Sequence, residues 1–371
     1  MSVETPGEAP APDAFGSVFQ VYEVRENGEQ LLYFGDPLVD RQTLMREVWP
    51  RFREAGYEVS VSHRTGEFVL VAEPHSIGIE GIPWTNVILA VATVISTLVV
   101  GAQWYYVRDL TSLAIVQAVP FTLAVMGVLG THELGHYVMS RYHKVDATLP
   151  YFLPFPTIVG TMGAVIRMRG QIPDRKALFD IGVAGPLAGL LATVVVTAIG
   201  LSLPPVQVPP WVLSAETAIE VQFNYPPLLT GIAMAIGEPL SYEDPTQVVN
   251  PVVIGGWVGM FITFLNLIPA GQLDGGHILR AILGPQQERI APFVPTLLFG
   301  LAGYIYFFTD AGQMVGLWIL WGVLAMVAAN FGSATPIDDS PLDRRRVAIG
   351  LFTFVLGLLC FTPVPIQIVG P

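Results

Sequence analysis

Long apolar runs separated by short polar segments dominate this chain. The runs lie near residues 84–107, 111–142, 178–201, 252–283, 290–309, 312–332 and 347–361. Runs of this kind match the ~20 apolar residues with which an α-helix crosses the ~30 Å hydrocarbon core of a bilayer. The pattern therefore predicts a polytopic α-helical membrane protein with six or seven transmembrane helices over residues 84–361.

A different pattern precedes the first run. Residues 1–14 are rich in Pro, Ala and acidic residues, which predicts a disordered tail. In residues 15–80, apolar stretches at 19–24 and 31–34 flank a turn, Asp40 is suited to cap a helix through Ala55, and 57–62 and 67–71 suggest a second hairpin. We expect a small soluble α+β domain with the order ββαββ, on which His63 and His75 are solvated surface residues.

Composition supports the membrane class and narrows the chemistry. Only 13% of the residues are charged and 52% are hydrophobic, far from the ~25% charged of soluble domains. The net charge is −12, and Lys144 and Lys176 are the two lysines. This bias suggests a salt-adapted prokaryote and argues against a nucleic-acid partner. Since Cys360 is the single cysteine, any metal site must use histidines and carboxylates.

The distribution of Lys and Arg predicts the orientation in the membrane, because short cytoplasmic loops retain basic residues. Residues 202–250 contain neither, whereas the segments 141–176, 280–289 and 344–346 contain most of those that follow the first run. We expect 202–250 to lie outside and the N-terminal domain to be cytoplasmic, in a multi-pass protein of the cell membrane. No basic n-region precedes an apolar h-region, so we expect no cleaved signal peptide.

Three ionisable side chains interrupt the second apolar run near its predicted cytoplasmic end. His132 and His136 are four residues apart and therefore share one helical face, where both imidazoles can bind one metal ion. Glu133 points away from that face and is suited to activate a water molecule as general base. An ionisable residue at membrane depth costs ~2.5 to 3.5 kcal/mol on insertion scales, so three in five residues predict a functional site.

A catalytic zinc site has three protein ligands and one open position, so a third ligand is expected. Asp274 lies toward the cytoplasmic end of the fourth apolar segment, at the depth expected for the histidines. Asp146, Asp174 and Asp180 are rivals, but they lie beside charged loop residues. His277 follows three residues after Asp274 and either supports a ligand or binds weakly.

On these and further motifs the chain resembles the site-2 protease family of intramembrane zinc metalloproteases, closest to its plant and cyanobacterial branch. The resemblance covers roughly residues 110–285. The matching motifs are His132-Glu133-Leu134-Gly135-His136, Gly160-Thr161-Met162-Gly163-Ala164, Pro173-Asp174-Arg175, Gly185-Pro186-Leu187-Ala188-Gly189, and Asn266 through Pro269 to Leu273-Asp274-Gly275. The resemblance implies Zn²⁺ bound by His132, His136 and Asp274, Glu133 as base, and cleavage of a transmembrane protein substrate within the lipid bilayer.

The flanking motifs add structural expectations. Pro269 and Gly271 interrupt the fourth apolar segment, and broken helices at membrane depth line polar cavities. Asn266, about two helical turns before Asp274, either hydrogen-bonds the substrate or the developing oxyanion, or joins two helices. Residues 151–168 are apolar but rich in Pro and Gly, which predicts a re-entrant β element. Gly271 and Gln272 stand where the family has a second proline, so we expect a changed loop shape.

The HExxH segment also has two other interpretations. The first is a buried His-Glu-His cluster that ties helices together by hydrogen bonds. The second is a non-catalytic metal-binding membrane protein or a metal transporter, although transporters usually place carboxylates at successive depths. The motifs favour a zinc metalloprotease with His132, His136 and Asp274 as ligands and Glu133 and Asn266 as catalytic residues.

Overall fold

The computed structural model describes residues 9–64, 66–75, 81–214 and 220–369. The helices are α1 Arg41–Glu54, α2 Trp84–Trp104, α3 Val119–Tyr142, α4 Arg175–Ser202, α5 Pro210–Leu213, α6 Pro227–Ile236, α7 Val252–Asn266, α8 Asp274–Leu283, α9 Gln287–Ile290, α10 Phe293–Phe308, α11 Val315–Phe331 and α12 Arg344–Leu359. The strands are β1 Phe19–Asn27, β2 Gln30–Pro37, β3 Tyr57–Arg64, β4 Glu67–Pro74, β5 Tyr151–Pro154, β6 Thr161–Val165, β7 Val206–Gln207, β8 Glu220–Phe223, β9 Gln247–Val248 and β10 Ile366–Val369. The described chain is therefore mostly helical, with its strands in small sheets.

The N-terminal part is an antiparallel sheet with strand order β1-β2-β4-β3 and the single helix α1. Leu44, Val48 and Phe52 are spaced by four residues, so they share the face of α1 that packs with Tyr33 of the sheet. The helix begins after Asp40, whose carboxylate accepts hydrogen bonds from backbone N–H groups of the first turn. The order and positions of these elements agree with the ββαββ prediction.

The segment before β1 differs from the predicted tail. Residues 9–14 pack on the N-terminal sheet: Ala9 is buried, a 3-10 helix covers Pro12–Phe15, and the Tyr33 hydroxyl donates a hydrogen bond to the Pro10 carbonyl. The aromatic ring of Phe15 contributes to the same core, which gives this short segment apolar surface to bury. Residues 1–8 of the predicted tail lie outside the described residues.

Four helical segments of the described chain are long and apolar enough to cross a membrane. They are Trp84–Trp104, Leu113–Tyr142, Arg175–Ser202 and Gly312–Phe331, and the bent pair Asp274–Ile290 and Phe293–Phe308, with an angle of 67°, can count as a fifth. Helix length and composition thus identify four or five spans in the described chain, fewer than the six or seven predicted. α7 has 15 residues and α12 has 16, fewer than the ~20 of a full crossing.

The fourth apolar segment is broken, as Pro269 and Gly271 predict. α7 ends at Asn266 and α8 begins at Asp274. Gly271 has a φ of +51°, and a Cβ atom there would lie within 2.8 Å of the Cβ of Ala328 and closer still to its carbonyl. This turn therefore requires glycine. Asn266 and Asp274 belong to different helices, so the expectation that two turns of one helix separate them is wrong.

Strands β5 and β6 form an antiparallel hairpin, as predicted for residues 151–168. The hairpin runs along α2: the Asn86 amide donates to the carbonyls of Leu149 and Pro150, and the Trp104 indole donates to Ile158. Gly160, with a φ of +86°, lies so close to the middle of α2 that a Cβ would be 2.8 Å from the Ser96 carbonyl oxygen. The β element therefore extends along the length of a membrane helix.

The N-terminal domain docks on loops that flank α3 and α4. The backbone N–H of Gln171 donates to the Glu58 carboxylate at 3.0 Å, and the Arg53 guanidinium donates to the Lys144 carbonyl. Ile337, from the segment before α12, is 7% exposed and belongs to the core of the domain. These contacts fix the domain on the side of the helical bundle where these loops lie.

The two histidines of this domain differ. His63 is exposed and packs edge-on against the Phe68 ring. His75 is not a solvated surface residue as expected, because its side chain is 11% exposed and its Nδ1 lies 2.8 Å from the Arg53 guanidinium. Burial, followed by the positive charge of Arg53, lowers the pKa of His75 below its ordinary value of 6.5.

Two small two-stranded sheets lie at the end of the helical bundle opposite the N-terminal domain. β7 pairs with β9 within the segment between α4 and α7, and β8 of that same segment pairs with the C-terminal β10. The Gln313 side chain, between α10 and α11, donates a hydrogen bond to the Ile368 carbonyl in β10. The connection after α4, the connection before α11 and the C-terminal strand therefore lie on one side.

Candidate metal centre

Three predicted ligands converge between helices α3 and α8. His132 Nε2, His136 Nε2 and Asp274 Oδ2 are each 3.2 Å from the other two. Metal bonds of ~2.0 to 2.1 Å at tetrahedral angles place ligand atoms about 3.3 Å apart, so the spacing fits one tetrahedral ion. Two imidazoles and one carboxylate are also a donor set that zinc takes in catalytic sites.

The orientation of one imidazole is fixed by the neighbouring helix. His136 Nδ1 donates a hydrogen bond to the Ile181 carbonyl oxygen of α4 at 2.8 Å. With the proton on Nδ1, the Nε2 atom keeps its lone pair for a metal. The ring is 6% exposed, so both its position and its tautomer are set by protein contacts before any ion binds.

Two glycines of α4 make room for the two histidines. A Cβ atom at Gly189 would lie 2.9 Å from Nδ1 of His132, and a Cβ atom at Gly185 would lie 2.5 Å from Cε1 of His136 and closer still to Nε2. The sequence analysis includes these glycines in a motif that matches the family but does not assign them this role. The available signal is their spacing of four residues, which repeats the spacing of the histidines on the facing helix.

The other two predicted site residues line the same cavity. Glu133 is 5% exposed and borders a cavity of about 160 Å³ together with the three ligands. Asn266, at the end of α7, also borders it, and its side-chain amide nitrogen lies 3.2 Å from His132 Nε2. The structure thus brings together all five residues singled out from the sequence. Two of them, Asn266 and Asp274, lie on either side of the loop between α7 and α8 and not on one continuous helix.

The wall of the cavity includes the end of the β hairpin and the loop before α8. Residues 164–166 and 168 supply one part, and Gln272 and Leu273 supply another. His277 borders the cavity as well, but its ring nitrogens are not in the group of ligand atoms that the described residues bring within 4.8 Å of one another. The expectation that His277 is a weak ligand is therefore not supported by this arrangement.

The rival carboxylates have other partners. Asp146 lies 3.7 Å from the Arg141 guanidinium, and the Asp174 carboxylate caps α4 through the backbone N–H of Ala177. Asp180 accepts hydrogen bonds from Arg346 at 2.8 Å and lies 3.0 Å from His143 Nε2. Asp180 is thus part of an ion cluster and not the solvated carboxylate that its sequence context predicts. Among the described residues, only Asp274 joins the two histidines.

Comparison with known proteins agrees with this geometry. The chain is 30% identical over 246 residues to "Probable zinc metalloprotease EGY2, chloroplastic" of Oryza sativa subsp. indica, which covers 66% of this chain and 42% of that protein. It is 32% identical over 254 residues to "Probable zinc metalloprotease EGY1, chloroplastic" of Arabidopsis thaliana, covering 65% and 43%. It is 28% identical over 302 residues to "Probable zinc metallopeptidase EGY3, chloroplastic" of the same plant, covering 75% and 48%. The chain thus spans less than half the length of these relatives.

No solved structure matches the chain. The sequence profile of peptidase family M50 matches residues 120–305, which is half of the chain. The match begins in α3 and ends in α10, so it contains the HExxH segment, the glycines of α4 and Asp274 at the start of α8. With His132, His136 and Asp274 all inside the matched region, the chain belongs to peptidase family M50, as its site-2 protease motifs indicate.

Proposed function

We propose that this protein is a membrane-embedded zinc metalloprotease that hydrolyses a peptide bond within or near a transmembrane segment of a membrane protein. The observation that supports this most directly is the triangle of His132, His136 and Asp274, with 3.2 Å sides, beside the buried Glu133. His132, His136 and Asp274 would hold the zinc ion, which would supply polarisation of a carbonyl group and acidification of water. The names of the relatives agree with this metal and this activity.

Glu133 is the proposed general base. It borders the cavity but contributes no atom to the ligand triangle, so its carboxylate is free to take a proton from the attacking water. The water oxygen bonds to the peptide carbon while the carbonyl π bond opens, and the proton passes to Glu133. Collapse of the tetrahedral centre breaks the C–N bond, and Glu133 returns the proton to the leaving amine. Asn266, which borders the same cavity, is the proposed hydrogen-bond donor to the substrate backbone or the oxyanion.

A seven-span topology in the cell membrane, with the N-terminal domain in the cytoplasm, is the proposed arrangement. It counts α2, α3, α4, α7, α10, α11 and α12, of which α7, α10 and α12 have 15 or 16 residues. Seven crossings put the chain ends on opposite sides, which agrees with two sets of contacts. The N-terminal domain contacts Lys144 and Gln171 in the connection between α3 and α4, which is rich in Lys and Arg, while β10 pairs with β8 in the segment that lacks both.

The acidic composition further supports a salt-adapted prokaryotic host for this protein. A net charge of −12 with two lysines in 371 residues is the balance expected for a chain in high salt. The position of the carboxylates argues against a metal transporter. In the described candidate spans they are Glu133, Asp180, Asp274 and Glu288, all toward the proposed cytoplasmic side, whereas a transport path needs them at successive depths.

The test uses purified wild type, Glu133→Gln, and the matched control Glu288→Gln, whose carboxylate is exposed and outside the cavity. Each is incubated with a panel of single-span membrane substrates, and bound zinc is quantified. We expect stoichiometric zinc in all three proteins and cleavage by wild type and control alone. A wild type that holds zinc and cleaves no member of the panel, or a Glu133→Gln protein that still cleaves, would contradict the proposal.

A further inference from the structure

His277 is a buried polar side chain of the cavity to which the proposed mechanism assigns no role. It lies on α8, three residues after Asp274, and is 7% exposed. It borders the same cavity of about 160 Å³ as the metal cluster and Glu133. Its Nδ1 atom is inaccessible to solvent and has no hydrogen-bond partner among the described residues.

An unpaired ring nitrogen in the protein interior reduces stability, because the hydrogen bonds that it makes to water in the unfolded chain are not replaced. An apolar side chain of similar volume at this position avoids that loss. The helix that carries His277 is closely packed on α4 at this point: a Cβ atom at Gly182 would lie 3.2 Å from the His277 Cβ. A polar group kept at a structural cost beside a reactive centre indicates a role in binding or chemistry.

Two ordinary roles do not fit the contacts of His277. It is not one of the ligands, because the described ligand cluster contains only His132, His136 and Asp274. It does not orient a ligand either: His136 donates its Nδ1 proton to the Ile181 carbonyl, and the hydrogen bonds of His132 and Asp274 in the described chain do not involve His277. Because no hydrogen bond within the described part of the chain fixes its tautomer, the His277 imidazole is free to present an N–H group to a molecule in the cavity.

We propose that His277 donates a hydrogen bond to the carbonyl oxygen of the scissile peptide as that oxygen becomes an oxyanion. This inference rests on the proposed peptidase function. When water adds to the carbonyl carbon, the π electrons move onto oxygen and the water proton moves to Glu133; the His277 N–H bond stays intact throughout. His277 on α8 and Asn266 on α7 then border the cavity as two neutral donors from two different helices.

The experiment compares His277→Leu, His277→Gln and the control Gln287→Leu. Gln287 is 1% exposed and its Nε2 also lacks a partner in the described chain, but it is outside the cavity. For each protein, zinc content, the melting temperature of the metal-free form, kcat and KM are measured. The affinity for a phosphinic peptide, whose tetrahedral phosphorus oxygen resembles the oxyanion, is a readout that needs no turnover.

For His277→Leu we expect stoichiometric zinc, an unchanged or higher melting temperature, a kcat lower by ~10² to 10³ with KM little changed, and a similar loss of phosphinic-peptide affinity. His277→Gln, which keeps an N–H donor, should have a kcat at least about tenfold higher than that of His277→Leu. Gln287→Leu should keep full activity.

Loss of zinc or of the fold in His277→Leu, together with failure of His277→Gln to recover activity, would overturn the inference, as would unchanged kcat and analogue affinity. These outcomes all presuppose a wild type that cleaves, so they are distinct from failure of the proposed function, in which the wild type itself is inactive.

Discussion

Replacing Gly185 by alanine adds one methyl group at the closest approach of α4 to the metal cluster. Its carbon would lie 2.5 Å from Cε1 of His136, whereas carbon atoms in contact are ~3.5 to 4.0 Å apart. The imidazole must therefore move by about 1 Å. That movement draws Nε2 away from the other two ligands and strains the 2.8 Å hydrogen bond from Nδ1 to the Ile181 carbonyl.

The expected magnitude follows from this displacement. Changes in the residues that orient a metal ligand typically cost ~10- to 100-fold in metal affinity or activity, and a 1 Å misplacement of reacting groups costs ~10²-fold in rate. Helix propensity acts in the opposite direction, since alanine stabilises a helix interior by ~0.5 to 1 kcal/mol relative to glycine. Gly185→Ala should therefore bind zinc more weakly and lose activity while the protein keeps its fold.

The assay is competition for zinc with a chelator of known affinity, combined with the cleavage rate at saturating zinc. Gly127→Ala is the control, because Gly127 lies on α3 and a Cβ there would meet nothing within 4 Å. If Gly185→Ala holds zinc as tightly as Gly127→Ala and cleaves at the same rate, the claim that this glycine makes room for His136 is refuted.

Three further outcomes are expected. Asp274→Ala should lose zinc in equilibrium dialysis, and stoichiometric retention would exclude Asp274 as a ligand. Asn266→Ala should keep zinc and lower kcat by ~10² in a cleavage assay, so a change confined to zinc content would count against a role in substrate binding. Burial and the neighbouring Arg53 lower the pKa of His75 below 6.5, so the unfolded chain binds the proton more tightly. The contribution of neutral His75 to the free energy of unfolding should be fully present above pH 6.5 and should decrease as the pH falls below that value. Thermal melting should detect this decrease in wild type but not in His75→Gln.

Local patterns were sufficient for much of the site. The pairing of His132 with His136 depends on the helical repeat alone, and Glu133 follows from its position between them. The helix cap at Asp40 and the hairpins on either side of α1 depend on turn and capping residues within a few positions. In each of these features the interacting residues are only a few positions apart, so the local sequence pattern is enough to predict it.

The features that the sequence did not predict depend on contacts between distant segments. The role of Gly185 and Gly189 appears only when α4 is packed against α3, because the atoms they must avoid belong to His136 and His132. The turn at Gly271 separates Asn266 at the end of α7 from Asp274 at the start of α8, so counting helical turns along an assumed single span gave the wrong relation. The number of spans was also uncertain, because apolar length does not reveal where a helix ends inside an apolar run.

The position of Ile337 has a consequence for biosynthesis. This residue belongs to the core of the N-terminal domain and donates its backbone N–H to the Ile172 carbonyl, yet it is translated ~260 residues after the last strand of that domain. At ~5 to 20 residues per second, the ribosome reaches it tens of seconds later. The N-terminal domain is therefore synthesised with an incomplete core. Its packing can be completed only after most of the membrane helices have been synthesised, so completion of this core is coupled to synthesis of the membrane part.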